Sequence, residues 1–274
     1  MQILLIVATG QIGYALALIL AKSENQLRVL VRNKKKLPFP NDVEVLASQQ
    51  FTAEAYKRAF ENVDLAIYGV GLPEQFTLSN DSFERVNYGL LTKFFRSLEQ
   101  SMVKRLISIS TYEVFSGVNN TIRESHSIAA ASQMTPYFQA MIKAYRIVTE
   151  YAAEHDLALT TIHPAAVYGG MNTGNGIIRS FGHSSAFMVS DQITSLRQIA
   201  EVLSRLTHQR SIVPLTAPLC LVRPSATLME TIANICKVRP LIARVQIKFI
   251  TYGLEPLSDK AQHELQLGAV IVVK

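Results

Sequence analysis

Two glycines near the N-terminus have a spacing that suits phosphate binding. The segment Ala8-Thr9-Gly10-Gln11-Ile12-Gly13 follows an apolar run typical of a strand and precedes an apolar stretch typical of a helix. At such a turn, missing side chains let the backbone approach a pyrophosphate, and the helix N-terminus supplies N–H donors. Gly10, Gln11, Ile12 and Gly13 are therefore predicted to bind a dinucleotide. The alternative is a tight turn without a ligand.

Basic residues follow the second predicted strand. Arg32, Lys34, Lys35 and Lys36 lie where an acidic residue would bind the ribose hydroxyls of NAD. Cationic side chains there suit the additional 2′-phosphate of NADP. We therefore expect Arg32 and Lys36 to bind NADP, with NAD as the alternative cofactor. The lysine run is also compatible with a solvated loop.

The remaining composition argues against other kinds of site. The six histidines are scattered and no two are four residues apart, so no metal site is expected. The net charge is +6, but most basic residues are dispersed among acidic ones, so no nucleic-acid partner is expected. Cys220 and Cys236 lie in apolar surroundings and are expected to be buried free thiols.

The apolar run from Ile3 to Ala21 is not expected to be a signal peptide or a membrane span. No basic segment precedes it, and Thr9-Gly10-Gln11 interrupts it before the roughly 20 apolar residues that a span needs. With 49% hydrophobic and 18% charged residues, the 274-residue chain can bury a full core. We expect a cytoplasmic protein that does not bind membranes.

Short β-rich runs alternate with amphipathic helical stretches through residue 163, as in a parallel sheet with crossover helices. The predicted strands are Gln2–Val7, Gln26–Arg32, Val43–Leu46, Asp64–Tyr68, Arg105–Ser110 and Leu159–His163. The predicted helices are Gln11–Lys22, Ala53–Glu61, Asp81–Gln100 and Pro136–His155. The expected fold is α/β, a Rossmann doubly wound parallel sheet over residues 1–163, with helices on both faces.

After His163 the alternation fades, and glycines at 169, 170, 174 and 176 indicate a loop-rich region up to about residue 190. We expect a small C-terminal substrate lobe, mainly over residues 164–274 and interleaved with the first domain. Its predicted elements are a helix near Leu196–His208, a strand near Ser211–Pro214 and a helix near Ala226–Lys237. The polar stretch Ser116–Met134 is either an active-site loop or a surface excursion.

Several segments, in the right order, resemble the extended short-chain dehydrogenase/reductases, particularly the dihydroflavonol-reductase-like and NAD-dependent epimerase/dehydratase branch. Besides the glycine turn, the similar segments are Val86-Asn87-Tyr88-Gly89, the strand from Val103 to Thr111, the segment from Ile162 to Gly169, and the terminal helix that starts at Asp259. The resemblance extends over nearly the whole chain and implies the same Rossmann fold.

The resemblance implies roles for two hydroxyl groups. Thr111 would polarise a substrate carbonyl, and Tyr137 would exchange a proton with the alcohol oxygen. Hydride transfer needs such donors because it leaves negative charge on the oxygen. The alternative for Tyr137 is an aromatic side chain packed on the core. The resemblance also implies cofactor contacts from Gln49, Gly69, Pro164 and Val167.

The chain departs from the family pattern at several positions. Met141 stands where the family has a lysine, four residues after the tyrosine. Lys143 lies about 200° further around the helix and is not expected to replace it. Elsewhere, Val7 stands in place of the first glycine of the turn, and glutamines at 49 and 198 stand in place of acidic residues.

Three hypotheses of function remain open. The leading one is an NADPH-dependent oxidoreductase of the carbonyl reductase or dehydrogenase type. The second is an atypical family member, favoured by Met141, that binds NAD(P) without redox turnover as an isomerase, a cyclase or a redox-sensing regulator. The third is an interaction protein with an empty site, favoured by Val7.

The expected partner is a small, mainly apolar metabolite, and homodimer formation is left open. Aromatic and methionine side chains with few charges in the segments flanking the site favour such a ligand. The same side chains are equally compatible with the core of the lobe. They are Phe76, Phe115, Met134, Phe181 and Phe187.

Overall fold

The computed structural model describes residues 1–6, 10–34, 38–72, 80–116, 121–130, 136–165, 185–189, 218–236, 247 and 255–265. The strands are β1 Gln2–Ile6, β2 Gln26–Val31, β3 Glu44–Ala47, β4 Leu65–Tyr68, β5 Arg105–Ile109, β6 Thr121–Ile122, β7 Ala158–Pro164, β8 Ser185–Val189 and β9 Glu255–Pro256. The helices are α1 Gln11–Leu20, α2 Ala53–Ala59, α3 Asn80–Phe83, α4 Leu90–Leu98, α5 Pro136–Glu154, α6 Leu219–Cys236 and α7 Asp259–Leu265. A π-helix spans Glu84–Gly89, and a 3-10 helix spans Tyr112–Val114.

Seven strands form one parallel sheet in the order β3-β2-β1-β4-β5-β7-β8. The strand order reverses at β1, which pairs with β2 on one side and with β4 on the other. Because all seven strands are parallel, their carboxyl ends lie at one edge of the sheet. A ligand of such a sheet binds beyond this edge, at the reversal point. The predicted doubly wound Rossmann fold is confirmed.

The core lies on both faces of the sheet because side chains alternate along each strand. On β1, Ile3 and Leu5 belong to one buried cluster, which also contains the inner face of α1. Leu4 and Ile6 belong to a second cluster with aromatic side chains of α2 and α4. All four side chains are fully buried, and burial of each contributes about 1.5–3 kcal/mol.

Four features differ from the sequence-based predictions. The helix predicted over residues 81–100 is divided by the π-helix, whose wider turns shift the following register. Strand β8 lies within the region expected to be loops and pairs with β7. The helix expected to start near Ala226 starts at Leu219, with Pro224 inside it. Cys220 and Cys236 are exposed near the two ends of that helix, so the prediction of buried thiols was wrong.

The chain divides into two units. The larger unit comprises residues 1–74, 78–190 and 256–274, and the smaller comprises residues 75–77 and 191–255. The expected domain boundary after residue 163 falls inside β7, and the sheet of the larger unit continues to β8. The helix predicted near Leu196–His208 and the strand predicted near Ser211–Pro214 lie outside the described residues.

Within the described part of the chain, no helix is both long enough and apolar enough to cross a membrane.

Candidate functional site

The glycine turn lies at the reversal point of the sheet. Gly10 is the N-cap of α1, with extended backbone angles and no side-chain cap. Apart from its two chain neighbours, a Cβ built at Gly10 meets no heavy atom of the described residues within 4 Å, so these residues leave the space open. The first N–H groups of a helix have no partner within the helix, and α1 presents them beside that space. This arrangement fits a dinucleotide pyrophosphate.

Gly69, which was also predicted to contact the cofactor, lies where strand ends pack closely. Gly69 directly follows β4, and a Cβ there would lie 3.3 Å from Cδ1 of Ile109 and 3.8 Å from the carbonyl oxygen of Ile6. Its small size lets the ends of β1, β4 and β5 approach one another. In the turn itself, Gly13 is buried and Ile12 is 37% exposed. Val7 and the side chain of Gln11 lie outside the described residues.

The candidate adenosine contacts also follow strand ends. Arg32 comes directly after β2 and is exposed, and Lys34 is exposed two residues later. Gln49 lies two residues after β3 and is exposed. These side chains are thus available at the sheet edge where the resemblance places the cofactor. Lys36 lies outside the described residues.

Thr111 lies two residues beyond β5 and is held at both its side chain and its backbone. Its Oγ1 donates a hydrogen bond of 2.7 Å to Oε2 of Glu113, so its hydroxyl hydrogen is directed at a carboxylate. Its carbonyl oxygen accepts a hydrogen bond of 3.0 Å from Nδ1 of His163. These two contacts orient Thr111, which is itself buried.

Glu113 was not singled out from the sequence. It belongs to the 3-10 helix that follows Thr111, and this short helix brings its carboxylate back to the threonine hydroxyl. Burial raises the pKa of the neighbouring Tyr112 phenol, and the charge and hydrogen bond of Glu113 raise it further. Tyr112 therefore remains protonated. The signal available in the sequence was an acidic residue two positions after Thr111.

His163 lies in β7, behind Thr111. It is fully buried, with its ring 4.8 Å from that of Phe115 and 5.0 Å from that of Tyr145, centroid to centroid. Burial lowers its pKa to about 4, although the bond to Thr111 acts in the opposite direction. The ring is therefore neutral near pH 7 and donates through Nδ1. Within the described residues, Nε2 has no hydrogen-bond partner.

Tyr137 is the second residue of α5 and is partly buried. Its ring packs edge-to-face against Phe83, with centroids 5.9 Å apart, and against Phe138 at 4.9 Å. Helix α5 also contacts the 3-10 helix that follows Thr111. The elements that carry the two predicted hydroxyls are therefore packed together. The hydroxyl hydrogen of Thr111 points to Glu113 in this structure.

Met141 lies one helical turn after Tyr137, and its sulfur contacts a buried amide. Nδ2 of Asn87 lies 3.6 Å from Sδ of Met141 and 3.4 Å from the carbonyl oxygen of Leu72. Oδ1 of Asn87 accepts a hydrogen bond of 2.7 Å from the backbone N–H of Leu72. Asn87, carried by the π-helix, thus joins the chain after β4 to α5.

Lys143 does not replace the missing lysine. Its Nζ lies 3.0 Å from Oε2 of Glu84 and 3.9 Å from the centroid of the Tyr88 ring. The side chains of Lys143 and Glu84 are 46% and 49% exposed. The prediction that Lys143 points elsewhere is confirmed.

Two further residues, Pro164 and Val167, were predicted to contact the cofactor. Pro164 ends β7 and is partly buried, and Val167 lies outside the described residues. The described residues contain no group of three or more metal-ligating side chains.

Most of the chain matches a known protein family. Residues 8–210 match a protein family described as NAD(P)H-binding, which is well over half of the chain. The chain belongs to this family. No curated protein matches the chain by sequence.

Solved structures with the same fold include members of the epimerase branch. UDP-glucuronic acid 4-epimerase from Bacillus cereus, in complex with UDP-glucuronic acid and NAD, has a TM-score of 0.73 at 11% identity, over 99% of this chain and 95% of that one. PA4631, a nucleoside-diphosphate-sugar epimerase from Pseudomonas aeruginosa, has a TM-score of 0.74 at 14% identity, over 99% and 93%. These likenesses support the resemblance to extended short-chain dehydrogenase/reductases.

We predict that His163 makes the folded protein sensitive to acid. Its folded pKa of about 4 is lower than the ordinary 6.5, so the unfolded chain binds the proton more tightly. Stability should be complete above pH 6.5 and fall as the pH drops towards 4, by up to about 3 kcal/mol. Urea unfolding between pH 4 and 8 measures this change.

The matched variants are His163→Asn, whose amide nitrogen takes the position of Nδ1 and can still donate to Thr111, and His263→Asn, at an exposed position of α7. The first should flatten the pH dependence, and the second should leave it unchanged. An identical slope in the wild type and His163→Asn would contradict the assignment.

Proposed function

We propose that the protein is an NADPH-dependent oxidoreductase acting on a carbonyl or hydroxyl group of a small, mainly apolar metabolite. The observation that carries the proposal is the open space at Gly10, beside the N-terminus of α1 and at the reversal point of the sheet. The family match supports nucleotide binding, and Thr111 supplies a hydroxyl beyond the same sheet edge.

The preference for NADP(H) over NAD(H) rests on Arg32 and Lys34. Both are exposed cations beyond β2, where an acidic side chain would favour the ribose hydroxyls of NAD. A guanidinium can bind a phosphate through two hydrogen bonds. Equal affinity of the protein for both cofactors would contradict this part of the proposal.

The chemistry proposed for the chain is proton donation to a reacting oxygen. When bound, the nicotinamide supplies or accepts the hydride. Thr111 is oriented by two contacts, and its hydroxyl can turn from Glu113 to a substrate oxygen. Carbonyl reduction needs a proton donor to the oxygen, and both hydroxyls can donate one. Met141 leaves no cation one turn along α5 to stabilise the phenolate that donation creates, so Tyr137 is the weaker of the two donors.

A second candidate function is proton transfer without redox turnover, as in an isomerase. Two contacts favour it. The carboxylate of Glu113 lies 2.7 Å from a site hydroxyl and can accept a proton. The sulfur of Met141, at the lysine position, lies against the amide of Asn87. The epimerases among the structural neighbours are compatible with this alternative.

The functional test has two steps. Purified protein is titrated with NADPH while nicotinamide fluorescence is followed, and absence of binding would favour an interaction protein with an empty site. NADPH oxidation is then measured with a panel of small apolar aldehydes and ketones. Binding without oxidation would overturn the oxidoreductase in favour of the second candidate.

We predict that Gly10→Val weakens dinucleotide binding by at least about tenfold while the protein stays folded. Beyond the neighbours of Gly10 in the chain, no atom of the described residues lies within 4 Å of such a Cβ, so the added side chain would enter the proposed pyrophosphate position. Calorimetric titration with NADPH measures the affinity, and circular dichroism checks the fold. Gly89→Ala, in the π-helix, is the control and should bind normally. Unchanged affinity in Gly10→Val would place any nucleotide elsewhere.

We also predict that Met141→Lys raises the rate of NADPH oxidation with a suitable carbonyl by about tenfold or more. An ammonium one turn from Tyr137 would favour the ionised phenol, and one pKa unit corresponds to about 1.4 kcal/mol. Adding Tyr137→Phe should cancel the gain. Met141→Leu, which removes the sulfur without adding charge, should show no gain.

The opposite result is equally informative. If the site is built around the thioether, a partly buried lysine beside Asn87 would be costly. Met141→Lys would then lower the melting temperature or the ligand affinity without any gain in oxidation. That outcome would favour the second candidate function.

A further inference from the structure

Tyr14 joins the glycine-turn helix to the segment that follows the basic residues. It comes directly after Gly13 in α1 and is buried, with 9% of its surface exposed. Its Oη donates a hydrogen bond of 2.7 Å to the carbonyl oxygen of Pro38. Its ring lies edge-to-face with that of Phe39, with the centroids 5.6 Å apart. Tyr14 therefore holds Pro38 through a hydrogen bond and Phe39 through a ring contact.

The stretch from the end of β2 to Phe39 is attached to the fold at the described residues on either side of positions 35–37. At its start, the carbonyl oxygen of Val31 accepts a hydrogen bond of 2.9 Å from the backbone of Ser48. At its end, Pro38 is bound to Tyr14, and Phe39 packs against the buried cluster beneath α1. Arg32 and Lys34 lie between these two attachments and are exposed. Attachment at both ends reduces the conformational entropy that their binding to a ligand would cost.

The geometry points to Tyr14 as a positioning residue that determines the preference for NADP(H), an inference that rests on the proposed function. In this cofactor the pyrophosphate and the 2′-phosphate are separated by one ribose, so their binding groups must be held at a matching separation. Tyr14 connects the groups proposed to bind these two phosphates. It lies on α1, whose N-terminus would face the pyrophosphate, and it binds Pro38, which follows the basic residues in the chain. NAD(H) lacks the 2′-phosphate and gains nothing from this connection.

The test is the ratio of affinities for NADPH and NADH in Tyr14→Phe. This variant keeps the ring and its contact with Phe39 but loses the hydrogen bond to Pro38. We expect the Kd for NADPH to rise about fivefold, the effect of one typical hydrogen bond, and the Kd for NADH to stay unchanged. Tyr88→Phe is the matched control, because Tyr88 lies in the π-helix and its ring contacts Lys143 rather than the segment after β2.

A double variant tests whether Tyr14 acts through the basic segment. Arg32→Asp alone should lower or reverse the preference for NADPH. If Tyr14 acts by positioning Arg32, adding Tyr14→Phe to Arg32→Asp should change the NADPH affinity by much less than fivefold.

The outcomes separate the inference from the proposed function. Equal weakening of NADPH and NADH in Tyr14→Phe, or no change in either, would overturn the role of Tyr14 and leave the NADPH preference intact. A wild-type protein that binds both cofactors equally, or neither, would overturn that preference and the inference with it. A fivefold loss for NADPH alone would support both.

Discussion

The parallel arrangement of the strands is the constraint on which the candidate site depends. Each strand is followed by a connection that returns the chain to the opposite edge, so all strands of the main sheet end at the same edge. Gly10, Arg32, Gly69 and Thr111 each follow a different strand by a few residues. Residues from distant parts of the sequence therefore come to one edge, and the reversal at β1 leaves a crevice there.

This constraint explains why so much of the fold could be predicted from the sequence. The strands of a doubly wound sheet are buried on both faces, so they are visible as short apolar runs, and the helices between them show an apolar periodicity. Once the order of strands and helices is known, the positions just after the strands become candidate site residues. Gly10 and Thr111 were found in this way or by resemblance, without knowledge of any side-chain contact.

The features that were missed depend on contacts between distant residues or on small changes of register. Strand β8 follows a glycine-rich stretch that predicts a loop, and its pairing with β7 is a contact that the local sequence does not reveal. The π-helix lies within a sequence that has ordinary helical periodicity, so the sequence does not reveal it, although it carries Asn87. The exposure of Cys220 shows the same limit, because an apolar neighbourhood in sequence does not determine which face of a helix is buried.

The site residues have partners that their types alone could not indicate. Thr111 was identified as a hydroxyl donor, but its orientation comes from Glu113 on one side and His163 on the other. The bond from His163 needs a hydrogen on Nδ1, because a carbonyl oxygen can only accept. Burial lowers the pKa of the ring to about 4, so near pH 7 the ring is neutral and carries its one N–H hydrogen on Nδ1. The position of Thr111 is therefore set by the protein itself, and in the proposed function only its hydroxyl hydrogen would have to turn, from Glu113 to a substrate oxygen.

The presence of Met141 in place of the family's lysine also changes where the protein would hold a cofactor. A lysine in that position places a positive charge near the nicotinamide ribose, whereas the thioether of Met141 contacts the neutral amide of Asn87. A neutral contact has no unpaired charge to bury, so this part of the site is stable without a ligand. The exposed cations Arg32 and Lys34 lie at the other end, beyond β2. On the proposed function, the attraction between the chain and a dinucleotide would therefore be concentrated at the phosphates, and Met141 and Asn87 would add no charge at the reactive end.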